Sequence, residues 1–225
     1  MSGKTKRFKA PIFIDCTGDG WIGYWAGAEY MYGREALSTF GETWEKHDEL
    51  WSPDKPDNRV MGDSIIWRSE YAKKPVSFPE VPWAMDVAKE YSATHGTWKW
   101  EFSSDTLNQI QDGEAIRDHL FKAIYGSFYN AKQKPENVNL TLQWVPYVLG
   151  KRESRRLKGD YIYTFIDARE MKEFPDAVVM EKRAVDVHYQ QILTDTTKPD
   201  FLSEALFYDV DHYYIPYSGP SQSEM

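Results

Sequence analysis

Phe13-Ile14-Asp15-Cys16-Thr17-Gly18-Asp19-Gly20-Trp21-Ile22-Gly23 is the stretch on which the reading of this chain turns. Its approach, Phe8 to Cys16, is short, apolar and β-branched at Ile12 and Ile14, which predicts a buried strand ended by Thr17-Gly18-Asp19-Gly20. The small and aromatic residues from Trp21 to Glu29 predict a short helix. Between strand and helix, Gly18, Gly20 and Gly23 spell G-x-G-x-x-G. At that spacing a bare backbone lets a pyrophosphate reach amide N–H groups at the positive end of a helix. A complete Rossmann unit also needs a second buried strand ending in an acid ~20 positions on. Glu35 and Glu42 are the candidate acids, but Tyr30-Met31-Tyr32 is a poor buried parallel strand. Asp15, Thr17 and Asp19 make the approach more polar than such a fingerprint usually is. Spacing alone leaves two readings open: a dinucleotide turn, or a tight strand-to-helix turn for which glycine is the default.

Around this stretch, composition sets the bounds. The 225 residues suffice for one large domain or two small ones. Twenty-seven basic against 35 acidic residues leave a net charge of −8, without the basic footprint that nucleic-acid binding needs. Attraction to anionic lipid is equally unmotivated. The single cysteine, Cys16, excludes an internal disulfide framework and a Cys-rich zinc site. Met1 to Arg7 is basic, yet the apolar run Ala10 to Ile14 is too short for a secretion signal and Asp15 spoils a lipoprotein cleavage site. No stretch reaches the ~18 apolar residues of a membrane span. The 9 tryptophans are the compositional outlier, and most are expected in the core with a few lining a cavity.

Further along, helices are expected over Arg34–Leu50 and, most clearly, over Asp112–Gln133, where Ile116, Leu120, Ala123, Ile124 and Phe128 share one face. Trp51 to Arg59 reads as a loop. Strands are expected at Ser64–Tyr71, Trp98–Phe102, Asn139–Val148, Tyr161–Phe165, Ala177–Tyr189 and Ala205–Val210, with a loose tail after Pro216.

Phe13 to Gly20, followed by Ala26-Gly27-Ala28-Glu29 and Gly33-Arg34-Glu35, resembles a stretch of a bacterial family of FAD-dependent oxidoreductases. Further matches are Trp144-Val145-Pro146-Tyr147-Val148-Leu149-Gly150-Lys151-Arg152-Glu153-Ser154-Arg155-Arg156-Leu157, then Asp186-Val187-His188-Tyr189, then Tyr214-Ile215-Pro216-Tyr217. In that family the glycine turn is a later strand and turn beside the FAD, not the first fingerprint. The resemblance implies an α/β fold, α+β in its middle part: a partial Rossmann-like FAD/NAD(P)-binding domain with a mixed-sheet substrate domain. Residues 1–36 are then a remnant of the flavin-binding domain, 37–212 the substrate or cap domain, and 213–225 a tail leading back toward the flavin. The family's N-terminal fingerprint and a later flavin-contacting stretch have no counterpart here. The chain is therefore expected to be a fragment that does not hold FAD alone, completed by a second chain or by further segments.

The same resemblance implies that Thr17, Gly18, Asp19 and Gly20 face the cofactor. It also places the Arg-Glu-Ser-Arg segment and the Asp-x-His strand in the domain covering the flavin. Asp186 and His188 fall on one strand face, where a carboxylate-oriented imidazole can accept a proton. The dense basic patch Lys151 to Lys158 offers Arg155 or Arg152 to a developing alkoxide, with Trp144 beside a small-molecule substrate. His188, Asp186 and Arg155 are thus the expected catalytic residues, with His188 and Arg155 opening into one cavity. Asp209, Asp211 and His212 show no ligand spacing of a known kind, so no metal is expected. The alternative to an oxidoreductase is a carbohydrate or small-ligand binding module without a cofactor.

Overall fold

The computed structural model describes residues 5–44 and 51–219, on which every structural statement below rests. Its α-helices are α1 (Trp21–Trp25), α2 (Leu37–Phe40), α3 (Met85–Ala88), α4 (Gly113–Lys132) and α5 (Phe165–Arg169). Its strands are β1 (Tyr30–Met31), β2 (Asp63–Ser64), β3 (Arg68–Tyr71), β4 (Glu101–Phe102), β5 (Leu140–Trp144), β6 (Arg156–Leu157), β7 (Ala177–Glu181), β8 (Val185–Gln190), β9 (Ser203–Tyr208) and β10 (Tyr213–Pro216).

Helix α4 organises the larger core. Ile116, Leu120, Ala123, Ile124 and Phe128 are all fully buried, as their spacing predicts. They pack on Ile65, Trp67, Trp100, Phe102 and Phe201. The Trp67 ring meets Trp100 and Phe128 edge to face, at centroid distances of 5.2 and 6.2 Å. Helix α3 lies close against α4 because Gly126 has no side chain: a Cβ there would stand 2.4 Å from that of Ala88. At the far end the Lys132 ammonium donates to the carbonyls of Asn137, Val138 and Leu140, tying the helix to the start of β5. A second apolar cluster joins Tyr163, Phe165, Ala168, Val185 and Tyr213.

The strands form five two-stranded ladders, β1–β6, β2–β4, β3–β5, β7–β10 and β8–β9, and every pair is antiparallel. The chain is thus a mixed α/β protein with small antiparallel sheets. No parallel pair occurs among the described residues, so the Rossmann-like part of the expectation finds no counterpart there.

Several expected elements change. Phe8–Cys16 is not a strand: Phe8, Ile12, Phe13 and Ile14 are exposed and join no ladder. Apolar alternation needs a partner edge before it becomes a strand. The segment Tyr161–Phe165 turns into α5 instead. Its Thr164 hydroxyl accepts the Asp167 N–H while the Asp167 carboxylate accepts that of Thr164, a capping box that strand-like residue types conceal. Ala177–Tyr189 divides at Lys182-Arg183-Ala184 into β7 and β8, and the tail adds β10. Within Arg34–Trp44 only Leu37–Phe40 is helical; the rest of that expected helix, 45–50, lies outside the described residues, as do 1–4 and 220–225 of the expected domains.

Candidate functional site

The glycine turn is built around one carboxylate. Asp15 Oδ1 accepts the Thr17 N–H (3.0 Å) and hydroxyl (2.7 Å), and Oδ2 accepts the N–H groups of Ile22 (2.7 Å) and Gly23 (3.1 Å). The Thr17 hydroxyl oxygen in turn accepts the Trp21 N–H at 2.9 Å. The first amides of α1, which helix geometry leaves without partners, are therefore capped from within. Burial works against the charge on Asp15, but Thr17 and the amides outweigh it and hold the carboxyl below its usual range.

This arrangement tests the fit of FAD. A pyrophosphate cradle at α1 does not fit, because Asp15 and Thr17 already occupy the N–H groups that would bind it. Close approach of a flat group to Gly18 does fit: its φ is +81° and a Cβ there would meet nothing within 4 Å. Gly23 has a packing reason instead, since a Cβ would collide with Leu157 Cδ1 at 2.3 Å.

Leu157 belongs to the basic segment, which closes over the turn as a clasp. The Ser154 hydroxyl donates to Asp19 Oδ1, and Arg155 Nη1 donates to the Asp19 carbonyl, both at 2.8 Å. The Arg155 guanidinium also lies 4.0 Å over the Tyr24 ring and 4.4 Å over that of Trp21. Lys158 pairs with Glu29 at 3.3 Å. Lys151 donates to the buried Asp63 carboxylate at 2.9 Å and to the Gln109 carbonyl at 2.5 Å. Strand pair β1–β6 completes the attachment.

Beside the clasp is a cavity of about 180 Å³, whose wall includes Arg34, Glu42, Trp51, Arg156, Asp186 and His188. The expected meeting of Arg155 and His188 in one cavity is not what the structure holds. Arg155 is buried under its aromatic rings, and Arg156 lines the cavity in its place. The physical reason is parity: residues 155 and 156 point to opposite sides of extended chain, and the turn takes the first. Neither Arg152 nor Trp144 lines the cavity; Arg152 gives its backbone N–H to Asp63, and Trp144 is half exposed at the end of β5. Asp19 and Gly20 lie under the clasp, while Thr17 serves the cap.

Strand β8 brings Asp186 and His188 together as expected. His188 Nε2 meets Asp186 Oδ2 at 2.9 Å, and Nδ1 meets Glu101 Oε2 at 3.1 Å. Glu101 is fully buried, and its other oxygen accepts the Gly62 N–H at 2.7 Å. Trp98 stacks on the imidazole with 4.5 Å between centroids. Each ring nitrogen thus faces one carboxyl group. Sequence reasoning missed Glu101, because the alternation of Trp98–Phe102 places it on the face expected to meet solvent.

Around the cavity, Arg156 donates to Glu153 and Glu35, each at 2.5 Å, and to the Gly33 carbonyl. Burial opposes the charge on Arg156, but these carboxylates outweigh it and strengthen its hold on the proton. Burial pushes the Glu153 and Glu42 carboxyls up; Glu42 accepts the Phe165 N–H at 2.6 Å, at the start of α5.

Among the described residues no group of three or more His, Cys, Asp or Glu side chains is placed to hold a metal ion. Nor is any described helix long and apolar enough to cross a membrane.

The mixed α/β chain thus sets a carboxylate-bound histidine, His188, in the wall of a cavity beside the clasp on its glycine turn. The comparison with protein families supplies the class: residues 1–219 match the model of the FAD-dependent oxidoreductases, and the chain belongs to that family. Neither the curated proteins nor the solved structures include a match.

Proposed function

We propose that this chain forms the substrate side of a flavin site, with the cavity at His188 receiving a small molecule that loses a hydride. The observation that carries the reading is the buried Asp186–His188–Glu101 relay with one end on the cavity wall. FAD, when bound, accepts the hydride, and its chemistry is the cofactor's own. The protein's part is to take the proton. Asp186, the more exposed carboxylate of the two, is the entry point, and His188 and Glu101 fix its orientation. Arg156 stands in the cavity wall, with Arg34 and Arg59, where Arg155 was expected. Thr17, Gly18 and Asp19 flank the cofactor through the bare face of Gly18, consistent with a turn that lacks free amides for phosphate. Mixed with FAD and gel-filtered, the chain alone is expected to elute without flavin absorbance.

The test is anaerobic bleaching of the flavin by substrate in a flavin-loaded form. Asp186→Asn should slow bleaching about 100-fold, within the usual range for lost general base catalysis, and flatten its pH profile. Unchanged bleaching and pH profile in that variant would remove the relay from the reaction.

A further inference from the structure

The cavity also speaks to what it holds. Each cation in its wall already faces a carboxylate of this chain: Arg34 is bound to Asp57, Arg59 to Asp105 at 2.6 Å, and Arg156 to Glu153 and Glu35. His188 stands between Glu101 and Asp186. An anionic ligand would have to compete with these internal partners for every one of them. A cationic ligand fares little better, since Arg156 already engages Glu153 and Glu35, and Glu42 accepts the Phe165 N–H.

Polar groups remain nonetheless. The Tyr163 hydroxyl and Gln190 Nε2 make no hydrogen bond, although both residues belong to the cavity wall and are 6 % and 2 % exposed. Buried donors without partners are costly and rare, which marks them as groups awaiting an acceptor. Gln190 is held by its other end, where its Oε1 accepts the Ser103 hydroxyl at 2.8 Å, so the amide cannot turn away without breaking that bond. The remaining wall is aromatic: Trp51 packs on Phe165 at a centroid distance of 4.4 Å, with Phe40, Tyr163 and Tyr189 alongside. The space holds about ten water-sized groups. That is the scale of one six-membered ring with its substituents.

We infer that the cavity takes a neutral polyhydroxylated ring, a monosaccharide or cyclitol, with C–H groups against the aromatic wall and hydroxyls on Gln190, Tyr163 and Glu42. The assignment rests on reading this cavity as the substrate site and names the substrate class. Neutral hydroxyls supply both acceptors for the unmatched donors and donors for the carboxyls, and a secondary alcohol on a ring is a hydride source of the kind the relay serves.

Calorimetric titration of the full 225-residue chain tests it without requiring redox turnover. The probes are glucose and myo-inositol against glucuronate and gluconate. The neutral pair should bind about tenfold more tightly than the acids, and Gln190→Leu and Tyr163→Phe should each weaken binding of the neutral pair about tenfold. Tyr163→Phe removes one oxygen at constant shape, so it remains informative if Gln190→Leu unfolds. Tighter binding of the acids would overturn the substrate class while leaving the cavity as the site. Binding of the neutral pair that ignores both variants, or no binding of any probe, would overturn both the class and the cavity's role.

Discussion

The aromatic core around α4 and the glycine turn beneath the clasp are held by different physics. In the core, side chains such as Phe128 and Trp67 are fully buried and contribute through area and shape. The turn buries little apolar surface; Ile22 and Trp25 are exposed, and Phe8 to Ile14 run along the outside. It is fixed by a few directed bonds, from Asp15 within and from Ser154 and Arg155 across. A core tolerates reshuffling of apolar shapes, whereas a site held by single bonds fails one residue at a time. The turn therefore depends on single residues in a way that the core does not.

Substitutions can separate the two. Phe128→Ala should cost the most, about 3–5 kcal/mol of global stability in denaturant titration, because it opens a hole in a core that cannot collapse around α4. Arg155→Met comes next: it keeps the apolar stem but removes the bond to Asp19 and the cation over Tyr24 and Trp21. The expected loss is about 1–3 kcal/mol. It should appear locally, as faster proteolysis before β1, with the unfolding midpoint of the core little changed. If the midpoint falls as far as it does for Phe128→Ala, turn and core are one cooperative unit and the contrast is false. Asp15→Ala should have the smallest effect, about 1 kcal/mol for a lost helix cap. It carries a pH signature: the folded carboxyl titrates below its unfolded value near 3.9, so its contribution is present above that pH and lost as pH falls through the folded value. Wild-type turn fluorescence should change across that acid window, and the variant's should not.

The same contrast explains what the sequence made legible. Helix α4 could be read because its apolar residues recur at steps of three and four, a local pattern with a local cause. Asp186 and His188 could be paired because a strand places alternate residues together. The clasp could not be read, because nothing near Ser154 or Arg155 announces a partner near the chain's start. The basic run looked like a cation supply, yet only its fold partners decide that Arg155 faces rings and Arg156 faces the cavity. Glu101 escaped for a related reason: β4 is covered on both faces, so its polar parity points inward to His188. Phe8 to Cys16 had every local mark of a strand but lacked, among the described residues, an edge to join.

Ser154 stands 135 residues after the aspartate it binds. A ribosome therefore delivers the glycine turn long before the segment that locks it. Until Arg155 has emerged, Trp21, Tyr24 and Tyr30 have no guanidinium to close on. Contacts of such long separation form late, since the loop they close must first be ordered. The glycine turn, made well before its clasp, is in this sense set late, and in the interval it is open to chaperones and to premature association.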